Sequence, residues 1–241
     1  MTFNLQIVDV SEKDINWKYH IMLFCIDDNG ESYCIKVQNY NPFFYINYNK
    51  DYHISDLNQI IVNPRCPNDF YKTLKGNTTR ISYCDYKKLD EYQDKKRKYI
   101  KLEFDSVRKF GMVKKAFEDK ISLHGEQVKF HRYESNINQF LRFFHIKNID
   151  LCKWIKINKS NAQLVPNDFS KCKYEYEVDF NDIHPSHINK IGPLKVLSYD
   201  IECASNDNGF PQYSRPADKI IQIGNTIEVY GKGSEADINF I

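Results

Sequence analysis

The sequence predicts an α+β fold, in which a β-rich N-terminal domain with helices is followed by a short second β segment. Three observations carry this. Runs of alternating apolar and polar residues recur through the first 50 positions, the period-two signature of half-buried strands. Two later windows switch to helical spacing. Near residue 190 the composition changes to two largely apolar runs, "LKVLSYDIE" and "KIIQIGNTIEVYG". That change divides the chain at 1–190 and 191–241, and 241 residues suit one large domain or two smaller ones.

Taken in order, "FNLQIVDV" alternates as a half-buried strand should. "YHIMLFCIDDNGESYCIKVQ" is a hairpin, two apolar runs flanking Asp27-Asp28-Asn29-Gly30, whose residue types tolerate positive φ. In "NYNPFFYINY" Phe44 and Ile46 share one side of a strand, Phe43 and Tyr45 the other. Residues 51–80 are mixed, with room for a short helix and a loop around "NPRCPND". "YIKLEF" is a strand, and Ser106 caps a helix carrying Val107, Phe110, Val113 and Phe117 on one face. "YESNINQFLRFFHIKNI" is a second helix, with Ile137, Phe140, Leu141 and Phe144 toward the core. "LCKWIKI" and "YEYEVDFNDIHP" are strands, and a connector "HINKIGP" closes at Pro193. After it come an apolar strand, the polar loop "CASNDNGFPQYSRPAD" and a second apolar strand.

Composition is that of an ordinary globular chain, 41% hydrophobic and 27% charged. Aromatics are abundant, with 17 Tyr and 16 Phe, most of them expected in the core. The net charge of +2 excludes a polycation. It leaves nucleic acid open, because a local groove matters more than the total. The densest basic run is Lys95-Lys96-Arg97-Lys98, expected as a solvated loop or turn face, with phosphate contact as the minority reading. Seven cysteines show no CxxC spacing, so free thiols in a reducing compartment are expected, and neither a zinc site nor a disulfide framework. No apolar run approaches the ~20 residues that span a bilayer, and the first residues lack a secretion-signal pattern. An intracellular, soluble protein is expected, with no membrane partner. His184 and His187 lie three apart, but Pro185 between them argues for a loop and against a metal pair.

The apolar run "KVLSYDIEC" carries Asp200 and Glu202. Alternation puts both carboxylates on one face, about 7 Å apart along the backbone. Two acids there repel each other unless a cation lies between them, and hard divalent ions such as Mg²⁺ take oxygen ligands. A metal pair can activate water and stabilise a leaving oxygen in phosphodiester cleavage. Solvated carboxylates at a sheet edge explain the same spacing.

"LKVLSYDIECAS" resembles the first exonuclease motif of the family B DNA polymerases, the group with the eukaryotic delta enzyme and those of large DNA viruses. The likeness continues through "GFPQYSRPADKIIQIGN" at Phe210, Pro211, Asp218, Ile221, Gln222 and Ile223. Upstream, "NPFFYI", "YIKLEFDSVRKF" and "YESNINQFLRFFHIKNIDLCKWIKI" agree in the same order, with Glu134, Arg142, Phe143 and Trp154 at matching positions. The resemblance runs from about residue 40 to 230.

It implies that 1–190 is the N-terminal, template-channel domain and that 191–241 holds the first strands of an incomplete ribonuclease-H-like 3′→5′ exonuclease domain. Asp200 and Glu202 are then catalytic metal ligands for Mg²⁺ or Mn²⁺, in a two-metal site that only a complete exonuclease domain builds. The implied role is DNA replication by a nucleotidyltransferase with proofreading, acting on primer-template DNA in the host nucleus or, if viral, a cytoplasmic factory. The family's later exonuclease and palm aspartates have no counterpart among Asp207, Asp218 and Asp237. The chain alone is therefore expected to be inactive, a front portion of a polymerase. A non-catalytic nucleic-acid-binding subunit that docks on a second polypeptide is the alternative.

Overall fold

In the computed structural model the described residues are 1–57, 80–87, 95–123, 125–166, 169–207, 209–230 and 233–240. The loop expected around "NPRCPND" lies outside them. Among them the fold is mostly β, with helical residues at 54–57, where a short helix was expected, and two α-helices of nine and ten residues.

The first three strands are Thr2–Ile15 (β1), Lys18–Ile26 (β2) and Ser32–Gln38 (β3), joined as an antiparallel meander. The expected hairpin turn forms between β2 and β3. Asp27 Oδ1 accepts from the amides of Asn29 and Glu31, both at 2.9 Å, and Gly30 takes φ 82°. Phe43–Asn47 (β4), Arg80–Lys87 (β5) and Lys96–Glu103 (β6) belong to a second sheet. Val107–Ala116 (α1) follows, then Ile121–Leu123 (β7), Glu126–Val128 (β8), Arg132–Tyr133 (β9) and Gln139–Lys147 (α2). Trp154–Asn158 (β10), Ala162–Val165 (β11), Tyr174–Asp179 (β12) and His184–Pro185 (β13) return to the first sheet, ordered β11-β12-β3-β2-β1-β10-β13. Lys195–Ala204 (β14), Lys219–Val229 (β15) and Gly233–Phe240 (β16) form a separate antiparallel sheet.

Two cores result. One lies on the seven-stranded sheet and gathers Leu5, Ile21, Leu23, Ile35, Val37, Ile155 and Phe143. The other fills the space between α1 and the four-stranded sheet β5-β6-β4-β9, with Phe44, Ile46, Ile100, Leu102, Phe104, Phe110, Val113 and Phe117. Alternation in β4 holds as expected: Phe44 and Ile46 enter the core, while Phe43 and Tyr45 take the other face. Ser106 caps α1, accepting from the Lys109 amide at 3.0 Å. Asp14, from β1, accepts from the next two exposed amides, Val107 and Arg108, an acid where the helix dipole favours one.

Four expectations need correction. In α1, Val107 is exposed at the first turn. In α2, Ile137 precedes the helix and Leu141 faces solvent; Phe144 is buried as expected, and Gln139, Arg142 and Phe143 join it. Asn138 starts this helix by accepting from the Phe140 amide, which sets a face shifted from the expected one. The basic run is no loop: Lys96, Arg97 and Lys98 lie on β6, whose pairing with β5 forces extended backbone. The run beginning at Lys195 is not buried, because among the described residues no element covers either face of it. The six described cysteines are free thiols.

Candidate metal centre and its mounting

β14 and β15 pair in register from Lys195↔Val229 to Glu202↔Gln222, and the ladder slips only beyond Glu202. No bulge separates Asp200 from Glu202, so the two carboxylates stay on one face. Both are exposed. Opposite Asp200 stands Gly224, so no side chain crosses over that carboxylate. One Asp200 oxygen accepts from the Ile201 amide at 2.9 Å. Among the described residues neither acid has a cationic side chain within ion-pair distance. Tyr199, between the start of the strand and the two acids, is 66% exposed on the opposite face.

The loop between the strands keeps its own acids. Arg215 pairs with Asp207 and sits 2.9 Å from Asp218. Asp207 also accepts from Ser205 Oγ and the Gly209 amide, and these bonds hold its carboxyl below the usual range. The Gln212 amide donates to Asp218. Both aspartates are thereby committed to shaping the loop. Among the described residues no three His, Cys, Asp or Glu side chains gather where they could hold a metal ion. Asp200 and Glu202 fit a hard divalent ion in donor type and direction, and two ligands leave most of its coordination to other groups.

The connector fastens this sheet to the seven-stranded one. The Gly192 amide donates to Gln6 Oε1 at 2.6 Å, and Gln6 Nε2 donates to the Cys152 carbonyl at 3.1 Å. Trp154 Nε1 donates to the Lys190 carbonyl at 2.6 Å, while the Lys190 ammonium pairs with Asp28 at 2.7 Å. The Tyr230 amide donates to the Leu194 carbonyl. A Cβ at 192 would lie 2.9 Å from Ile26 Cδ1, so glycine permits this close passage. Gln6 is buried and serves both sides of the joint. Gln6→Leu is expected to cost about 2 kcal/mol, because the buried Gly192 amide loses its acceptor and the part-buried Cys152 carbonyl its donor. Hydrogen exchange should show the Gly192 amide losing protection, and unchanged protection would refute the clasp.

The sequence-singled cations are divided by the sheet. Lys98 lies over the Tyr48 and Tyr83 rings, 5.2 and 5.4 Å from their centroids. Arg97 is on the other face, opposite Tyr86 in register. His184 belongs to β13 and pairs with Lys156 in β10. Among the described residues no helix is long and apolar enough to cross a membrane.

The family model described as "DNA polymerase family B, exonuclease domain" matches residues 130–241. The DNA polymerase of Acanthamoeba polyphaga mimivirus is 32% identical over 227 residues, covering 89% of this chain and 13% of that protein. The DNA polymerase of Pyramimonas orientalis virus is 30% identical, covering 91% of this chain and 19% of that protein. The DNA polymerase delta catalytic subunit of Oryza sativa subsp. japonica is 26% identical, covering 88% and 20%. The chain thus spans a fifth or less of the length of these three relatives. The family B DNA polymerase of the hyperthermophilic archaeon Pyrobaculum calidifontis matches 98% of this chain and 26% of its own, with a TM-score of 0.70 at 16% identity, a likeness of fold. Taken with the ordered sequence segments, the family-model match and the viral relatives at 32% and 30% identity put the chain among the family B DNA polymerases.

Proposed function

We propose that this chain is the part of a DNA-directed DNA polymerase that contacts DNA and supplies the first two metal ligands of a 3′→5′ proofreading exonuclease. One observation carries the reading: Asp200 and Glu202 share one open face of an unbroken ladder, outside any described ion pair. Residues 1–190 form the template-channel domain in this reading. Residues 191–241 begin the ribonuclease-H-like domain. Supporting that division, the seven-stranded sheet draws on residues up to Pro185 and a separate sheet starts at Lys195.

Bound Mg²⁺ or Mn²⁺ would supply a Lewis acid and an activated water for cleaving the terminal phosphodiester. The chain's own contribution is orientation. Asp200, tied by its backbone contact to Ile201, presents its remaining oxygen to the same side as Glu202. Lys95, Lys96, Arg97 and Lys98 would meet phosphate at a distance from the cleavage site. Substrate is the frayed 3′ end of a primer on its template, and replication places the reaction inside the cell, in a nucleus or a viral factory.

The test uses the polymerase that contains this region. Asp200→Ala or Glu202→Ala should slow excision of a 3′-mismatched nucleotide about 100-fold or more, since each removes part of a metal site that lowers the barrier by several kcal/mol. Primer extension on matched ends should persist. Undiminished excision in both variants would overturn the assignment.

A further inference from the structure

We propose that Cys34 and Cys172 are an oxidative modification site, joined by a reversible disulfide when the protein meets a peroxide. Alternation along β3 turns Cys34 away from the core that Tyr33, Ile35 and Val37 enter. On the outer face of the seven-stranded sheet, register sets Phe24 of β2 on one side of it and Glu175 of β12 on the other. Cys34 and Glu175 are each 1% exposed. The segment just before β12 lies over them. The Glu175 carboxylate accepts from the Phe169 amide, and at 2.6 Å from both the amide and the Oγ of Ser170. The Cys172 amide donates to the same Oγ at 3.1 Å, and the Cys34 thiol is bonded to that hydroxyl as well. The chain bends at residues 171–173 instead of running straight into β12, which brings Cys172 back toward Cys34. One hydroxyl thus touches both cysteines.

The two thiols take different parts. Cys172 is half-buried, so an oxidant reaches it first. Cys34 is sealed, and burial, with Cys172 as a lesser cause, pushes its thiol up to about 11. It stays protonated at neutral pH and is inert until a sulfur electrophile forms beside it. The Cys172 thiolate attacks the peroxide, the O–O bond breaks, and hydroxide leaves a sulfenic acid behind. The Cys34 sulfur then attacks the sulfenic sulfur. The S–S bond forms, and the sulfenic hydroxyl leaves with the Cys34 proton as water. Two thiols are oxidised and one peroxide is reduced. A disulfide needs Cα atoms about 4.4–6.8 Å apart. Side-chain bonds, not a ladder, hold the bend at Ser170 and Cys172, so it closes on Cys34 without disturbing β3 or β12. Cys25 points into the core on the opposite face, and Cys84 belongs to the other sheet.

The experiment uses the 241-residue chain with Cys152→Ser and Cys203→Ser, which removes the two exposed thiols and leaves five of the seven cysteines. The reduced, folded protein is treated with equimolar hydrogen peroxide, remaining thiols are blocked, and peptides are mapped by mass spectrometry. The peptides holding Cys34 and Cys172 should be joined. Thiols counted in urea should fall by two, and dithiothreitol should restore them. The bond closes a loop over more than half of the chain, so the thermal midpoint should rise by about 10 °C. Cys172→Ser, at a half-buried position, should abolish both the link and the rise. Cys34→Ala should leave Cys172 to proceed to sulfinic acid. The site is refuted if Cys172 reaches sulfinic acid while Cys34 is present, if Cys172 pairs with another cysteine, or if the link forms only in urea-unfolded protein. None of these outcomes bears on the DNA reading, which the excision test of Asp200 and Glu202 decides separately.

Discussion

Phe44→Ala should destabilise the chain by about 4 kcal/mol, a shift of roughly a thousandfold in the folding equilibrium. Phe44 is fully buried between the four-stranded sheet and α1. Its ring meets Phe104 and Phe110, both at 5.4 Å, and Phe117 at 6.2 Å. Phe104 follows β6, Phe110 lies on α1 and Phe117 closes that helix, so moving any of them into the void shifts the helix against the sheet. Loss of transfer energy and an uncollapsed cavity therefore add. Urea unfolding monitored by circular dichroism measures the effect. Phe44→Leu should recover more than half of it, since most of the volume is restored. A cost near 1 kcal/mol for the alanine variant would mean that the cavity refills and that this core is not close-packed.

Arg142→Met should cost about 3 kcal/mol. The Arg142 side chain is 3% exposed, yet it is charged. Its guanidinium donates to the Phe43 carbonyl and, at 2.7 Å, to the Glu134 carbonyl, and it lies over the Phe43 ring at 4.2 Å. Burial pushes its pKa down, opposed by the Glu134 carboxylate. The ion pair with Glu134, half exposed, contributes little by itself. The carbonyls matter more, because methionine fills the volume and leaves both without donors. Arg142→Lys should rescue less than half of the loss, as one ammonium cannot span two acceptors in the fork geometry. Full rescue by lysine would show that charge, and not the fork, is what the site needs.

Legibility from sequence followed the range of the interaction. The Asp27–Gly30 turn, the Ser106 cap and the alternation of Phe43 to Ile46 are local, and each formed as expected. The buried face of α2 was misjudged because Arg142 holds an inward position that apolar periodicity assigns to Ile137 or Leu141. The carbonyls of Glu134, just ahead of the helix, and of Phe43, remote in sequence, make that burial tolerable. Strand β5, "RISYCDYK", and strand β16, "GSEADINF", were not anticipated: both are too polar to announce themselves, and pairing with β6 and β15 forms them. At the candidate metal centre, the shared face of Asp200 and Glu202 was legible, since alternation decides it. The exposure of Tyr199, Leu197 and Ile220 was not, because an apolar run reports only a tendency to be covered.

The seven-stranded sheet closes across a long stretch of chain, with Thr2 paired to Asn158 and Gln6 to Trp154. During synthesis at about 5–20 residues per second, roughly 7 to 30 seconds separate the emergence of these partners from the ribosome. Throughout that interval the start of β1 is an open edge, able to recruit a strand from a neighbouring nascent chain. Slowing translation between the codons for Gln6 and Trp154 should therefore raise aggregation in the cell while leaving the finished protein's equilibrium stability untouched.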